Sequence, residues 1–204
     1  MPDEPFHRSI ATLAALFALL TLATTDVGAQ RIVRTDSLRL IQSVVPLSGP
    51  PGAEVSVNSE NLPLAARIHI AVGMLHAGFE TIGQAEQGEW GEISASVRIP
   101  VTATWDSPLY VIALDGVFSP IGMSDPFHVT NVDGMIQRAG SISEEGGPCL
   151  TLRDENDLLY ALTGDLGAFR SGDDVVVEGI YSGTSSCLDG STIDVSRIVA
   201  SSGR

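Results

Sequence analysis

Strict two-residue alternation is the strongest constraint in this sequence. Glu54-Val55-Ser56-Val57-Asn58 places an apolar side chain at every second position. Arg67-Ile68-His69-Ile70-Ala71-Val72 repeats the pattern, with Ile68, Ile70 and Val72 on one side and His69 on the other, toward solvent. Ile93, Ala95, Val97 and Ile99 form a further row, closed by Pro100. Side chains of an extended strand alternate between two faces, whereas a helix repeats every ~3.6 residues, so this spacing fits strands and not helices. Turn residues divide the rows, most clearly Ser48-Gly49-Pro50-Pro51-Gly52. Apolar runs at 41–45, 110–114 and 127–130 complete a series of short strands over residues 41–131, which suggests a β-sandwich. No strand is assigned to the stretch from Gly73 to Gly91.

The style changes over residues 132–199. A first strand is expected at 134–140, a second at 149–152 and a third at 158–162, the last two joined by the polar turn Asp154-Glu155-Asn156-Asp157. Residues 164–169 are expected to form a short helical turn whose Leu166 and Phe169 plug one barrel end. Gly172-Asp173-Asp174 turns into a fourth strand at 175–180, and a fifth is expected at 191–198. Five short strands with a helical turn after the third describe an OB-like barrel. Residues 200–204 are left as a tail. The expected fold class is therefore all-β.

The N-terminal 29 residues read as a signal peptide. Residues 10–23 are apolar apart from Thr12 and Thr21, too short for the ~20 residues a span takes. Val27-Gly28-Ala29 supplies the small residues of a cleavage site, with Gln30 as the mature start. Residues 1–9 carry Asp3 and Glu4 against Arg8, an atypical start for a leader, and an uncleaved helical anchor is the alternative. Residues 30–40, with Arg31, Arg34 and Arg39, are expected to be a flexible segment.

After residue 29 the chain carries 10 basic and 22 acidic residues, a net charge of −12. It has no Lys, which excludes Schiff-base and lysine general-base chemistry. So acidic a surface repels nucleic acid phosphates and anionic membranes. Cys149 and Cys187 are the two cysteines. In an exported chain such a pair reads first as a disulfide, with buried free thiols as the alternative.

Two resemblances sharpen these expectations. Residues 45–52 leading into Glu54-Val55-Ser56-Val57, then Asn61-Leu62-Pro63, Ser107-Pro108-Leu109-Tyr110-Val111 and Phe127-His128-Val129-Thr130, resemble the immunoglobulin-like modules of the IPT/TIG kind found in bacterial surface proteins. The resemblance implies an Ig-like sandwich and carries no shared site. Gly134, Cys149, Leu159-Tyr160-Ala161-Leu162-Thr163-Gly164, Leu166, Phe169, Gly172-Asp173, Val175, Val177, Gly179, Cys187 and Thr192-Ile193-Asp194-Val195 resemble a family of small exported bacterial OB-like barrels without assigned activity. That second resemblance implies a bridge from Cys149 in the second barrel strand to Cys187 in the loop before the last strand.

The residue patterns that carry chemistry are weak. The acidic run 154–157 lacks the spaced carboxylates of a calcium loop and reads as a solvated turn. Glu144-Glu145 and Asp173-Asp174 are neighbours, read here as turns, and strand neighbours cannot face one substrate together. His7, His69, His76 and His128 form no metal-ligand spacing, and no nucleophile elbow, phosphate loop or dinucleotide fingerprint occurs. No catalytic residue, metal site or cofactor is therefore assigned.

Aromatic residues are the remaining candidates. Trp90, between Gly88-Glu89 and Gly91, either stacks on a sugar or partner from an exposed loop or folds over the sandwich edge. Tyr160 and Tyr181 are the corresponding ligand-contact candidates on the barrel. The expected role is an exported accessory binding or scaffolding protein with a protein or glycan partner, its two domains joined through Asn131-Val132-Asp133. The alternative is a small extracytoplasmic hydrolase or metal-dependent enzyme with its site at the domain junction.

Overall fold

The structure, a computed structural model, describes residues 41, 43–75, 77–184, 187 and 191–201. The expected signal peptide, the 30–40 segment, His76 and residues 202–204 lie outside them. All described residues belong to one compact unit, Ser37–Arg204. They contain thirteen strands and no helix.

Eight strands build the sandwich: β1 (Ser43–Val45), β2 (Ser48–Gly49), β3 (Glu54–Ser59), β4 (Ile68–Gly73), β5 (Phe79–Ala85), β6 (Ile93–Arg98), β7 (Pro108–Leu114) and β8 (Pro120–Val129). One sheet has the order β1-β3-β6 and the other β2-β8-β7-β4-β5. Register places Val55 opposite Val97 and Val57 opposite Ala95, so the alternating rows meet on one face. That face packs against Ile68, Ile70, Val72, Val111, Phe127 and Val129 in a common core. Burying each such side chain is worth roughly 1.5–3 kcal/mol.

Three expectations change here. Ser48-Gly49 is not part of the turn but a short edge strand, parallel to His128-Val129; the turn begins at Pro50, whose carbonyl accepts from Ala53 N–H at 3.0 Å. The stretch from Gly73 to Gly91, without an assigned strand above, contains β5, an edge strand with a bulge opposite Ile70/Ala71 that breaks its alternation. His69 lies on the outer face of β4, as its phase demands, but is buried rather than solvated. The Phe118 ring, held at φ 62° in the β7–β8 loop, stacks on it with centroids 4.6 Å apart.

Five strands follow: β9 (Met135–Gly146), β10 (Cys149–Asp154), β11 (Leu159–Gly164), β12 (Asp174–Ser182) and β13 (Ser191–Ala200). They close into a barrel in the order β9-β10-β11-β13-β12, back to β9. β11 and β13 are parallel, and the other barrel pairs are antiparallel. This is the five-stranded OB-like arrangement. Ile136, Ile142, Leu152, Leu162, Val175, Val177 and Ile193 fill the interior.

The barrel corrects several boundaries. β9 runs through Glu144 and Glu145, which sit on a strand rather than in a turn; the hairpin turn is Gly147-Pro148, with Gly147 at φ 72°. Residues 164–169 form a turn and not a helical segment: Phe169 N–H donates to Leu166 O at 3.2 Å, and both side chains still pack on the barrel core. β13 extends to Ala200, and Ser201 N–H donates to Asp174 O, so the tail begins later than expected. A disulfide joins Cys149 to Cys187, with Cα atoms 5.7 Å apart. Such a bridge is compatible with an oxidising compartment.

Candidate functional site

The link between sandwich and barrel is a tight turn. Asn131 Oδ1 accepts from the N–H groups of Asp133 and Met135 at 2.9 Å each, and Asn131 N–H donates to Met135 O at 2.8 Å. Gly134 takes φ 78° to close it. β8 therefore delivers its last residues directly beside the start of β9.

A charged residue occupies the inward phase of β9 at that point. Ile136, Arg138 and Ile142 are all buried, and Arg138 is 1% exposed. Its guanidinium donates to Trp105 O at 3.0 Å, to Gln137 O, to Tyr160 Oη at 3.3 Å and to His128 Nδ1 at 2.9 Å. A guanidinium only donates, so Nδ1 of His128 is the acceptor and the neutral ring carries its proton on Nε2. That Nε2 is buried without a hydrogen-bond partner. The ring lies 3.9 Å from the Tyr181 centroid and meets Tyr160 edge-on at 5.7 Å. Burial first, and the Arg138 charge second, lower the His128 pKa from 6.5 to about 3.

Tyr160 and Tyr181 are thus brought together, but around His128 rather than around an open surface. Tyr160 is 1% exposed in the barrel core, so the expectation that it presents its ring to a ligand does not hold. Burial raises its pKa, and its hydroxyl lies between Arg138 and Asp154. Tyr181 is half-buried and bonds through its hydroxyl to Ser191 Oγ at 3.1 Å. Asp154 is buried rather than solvated: its Oδ1 accepts from Asn156 and Leu158 N–H at 2.9 Å each, which fixes the hairpin from β10 to β11. Apart from His128 Nε2, the polar groups described at the junction bond to one another or to backbone.

Trp90 is placed differently. It is 81% exposed, which overturns the reading in which the ring folds over the sandwich edge. The loop beneath it is tightly bonded. Gly88 N–H donates to Glu92 O at 2.9 Å, Gly91 N–H to Gly88 O at 3.2 Å, and Trp90 N–H to Glu92 Oε2 at 2.9 Å. Gly91 has φ 86°, and a Cβ there would come 2.1 Å from Leu62 O, so glycine is required. Leu62, itself in the core, returns its N–H to Gly91 O at 3.0 Å.

Gln87 completes the lacing. Its Oε1 accepts from Ala65 N–H at 2.8 Å and its Nε2 donates to Pro63 O at 3.0 Å. The two loops at this end of the sandwich therefore hold one geometry and expose Trp90 and Leu64, the latter 71% open. Sequence reasoning missed the lacing by Gln87 and the clamp by Arg138. The only signal for the clamp was an arginine in phase with Ile136 and Ile142.

Among the described residues no group of three or more His, Cys, Asp or Glu side chains is placed to hold a metal ion. No protein-family model matches the chain, and no curated protein matches it.

Proposed function

We propose that this is an exported accessory protein of the bacterial envelope that binds or scaffolds a protein or glycan partner through the Trp90 end of its sandwich, without a catalytic role. The observation that carries this reading is the exposed Trp90 ring on a loop held by hydrogen bonds at its base. A large aromatic is costly to leave in water, and a rigid mounting lowers the entropy lost on binding. Exposed Trp residues on fixed backbones are typical anchors of binding surfaces. The Cys149–Cys187 bridge and the leader-like N-terminus support export, to a periplasm, an envelope surface or the medium. The acidic surface disfavours nucleic acid.

The test is calorimetric titration of the exported protein with panels of oligosaccharides and peptides, beside a panel of hydrolase substrates. Saturable binding without turnover, weakened at least about tenfold by Trp90→Ala, is expected. Turnover of any substrate that a point substitution abolishes would overturn the reading.

A further inference from the structure

The two laced loops differ sharply in charge from a neutral sugar platform. Glu60, Glu86, Glu89 and Glu92 lie on them and are all exposed, and Arg67 is their one basic residue. Glu89 directly precedes Trp90, and Glu92 points its carboxylate back at the Trp90 N–H. A shallow groove of about 420 Å³ runs between residues 65–68 and 84–87 and meets this end at Gln87. Carboxylates alone would be an ordinary solvated face. The ring changes the reading, because an exposed indole among carboxylates offers a cation both a π-face and counter-charges.

We propose that the Trp90 end docks a cationic polypeptide segment, with an Arg or Lys side chain over the indole and neighbouring basic groups against Glu89 and Glu92. This rests on the binding reading above and names its partner class. Trp is the strongest cation–π platform among the side chains, and guanidinium is its most frequent protein partner. The wider field agrees: a net charge of −12 after residue 29 draws basic chains toward the surface from a distance. The exposed Glu92 carboxylate accepts the backbone N–H of Trp90 through Oε2, so it ties the loop and keeps its charge on the same loop as the ring.

The experiment titrates the full exported protein with a fluorescent oligo-arginine peptide, an uncharged peptide of equal length and a neutral oligosaccharide. Each is measured at low and at raised salt, for the wild type, Trp90→Ala and the double substitution Glu89→Gln with Glu92→Gln. Glutamine at 92 keeps an oxygen for the Trp90 N–H, so the double variant removes charge without freeing the loop. The expected result is salt-sensitive binding of oligo-arginine, weakened about five- to tenfold in each variant, with unchanged melting temperatures. Oligo-arginine binding that Trp90→Ala leaves intact is diffuse attraction to an acidic surface and overturns the proposal. Salt-insensitive binding of the oligosaccharide that needs Trp90 overturns the cationic partner and leaves the binding reading standing. Binding of none of the three probes overturns the cationic partner as well, while the wider panels above still decide the binding reading.

Discussion

Arg138 reaches from the first barrel strand to His128 on the last sandwich strand, with Nη2 2.9 Å from Nδ1. The same guanidinium serves Trp105 O on a sandwich loop and Tyr160 Oη inside the barrel. One side chain thus satisfies acceptors from both halves. Replacing it with Met should cost roughly 2–4 kcal/mol, because buried polar partners lose their donor. Arg138→Lys should recover little of this, since an ammonium lacks the planar fork that reaches several acceptors at once. Urea unfolding measures both; a lysine variant as stable as wild type would remove the clamp from the account.

His128 makes stability depend on pH with a definite sign. The unfolded chain takes up this proton near pH 6.5, whereas the folded ring resists it until about 3. Its contribution is therefore complete above about pH 6.5 and declines as pH falls toward 3, by at most about 1.4 kcal/mol per unit. His128→Phe keeps a ring between Tyr160 and Tyr181 but takes no proton. Urea midpoints of wild type should fall more steeply with acid than those of the Phe variant. Parallel curves would show that His128 is not the group responsible.

The disulfide closes a loop spanning 38 positions, and chain entropy assigns that closure about 4 kcal/mol at most. Replacing Cys149 and Cys187 with Ser should lower stability by up to this amount and leave the sheet signal of the folded protein in place. In wild type, thiol alkylation before reduction should label neither cysteine. Labelling of both in protein recovered from its host would contradict the bridge and the oxidising compartment with it.

How legible this molecule is in its sequence depends on where each signal is stored. Ile68, Ile70, Val72 and the rows at 54–58 and 93–99 announce their strands because one face is buried and the other wet. β5 does not, because it is an edge strand with a bulge. Alternation puts His69 on the outer face, but whether Phe118 covers that face is decided by a loop almost fifty residues away in sequence. The pairing of His128 with Arg138 is only ten residues long in sequence, but it depends on the tight turn at 131–134 that sets the last sandwich strand beside the first barrel strand, and no motif marks that geometry. Tyr160 looked like a surface aromatic because barrel strands bury one phase, and alternation alone does not say which. Trp90 was visible as a candidate, but the lacing that fixes its loop depends on Gln87 and Leu62, which carry no motif.

The loop beneath Trp90 separates geometry from contact, which gives a paired prediction. Trp90 is 81% exposed, so Trp90→Ala should change stability by no more than about 0.5 kcal/mol. Gly91→Ala meets two obstacles. It forces a side chain into φ 86°, and its Cβ would lie 2.1 Å from the carbonyl oxygen of Leu62, which is backbone and cannot swing aside. Relief requires breaking the bond from Leu62 N–H to Gly91 O, so the cost is roughly 2–3 kcal/mol from strain and the lost bond together. Both variants should weaken ligand binding, one by removing the ring and the other by moving it. In Gly91→Ala the indole is still present, so its loss of affinity reads the value of the fixed loop alone. If Gly91→Ala binds as wild type does, the ring binds without its mounting, and the preorganisation argument for this site fails while the contact itself survives.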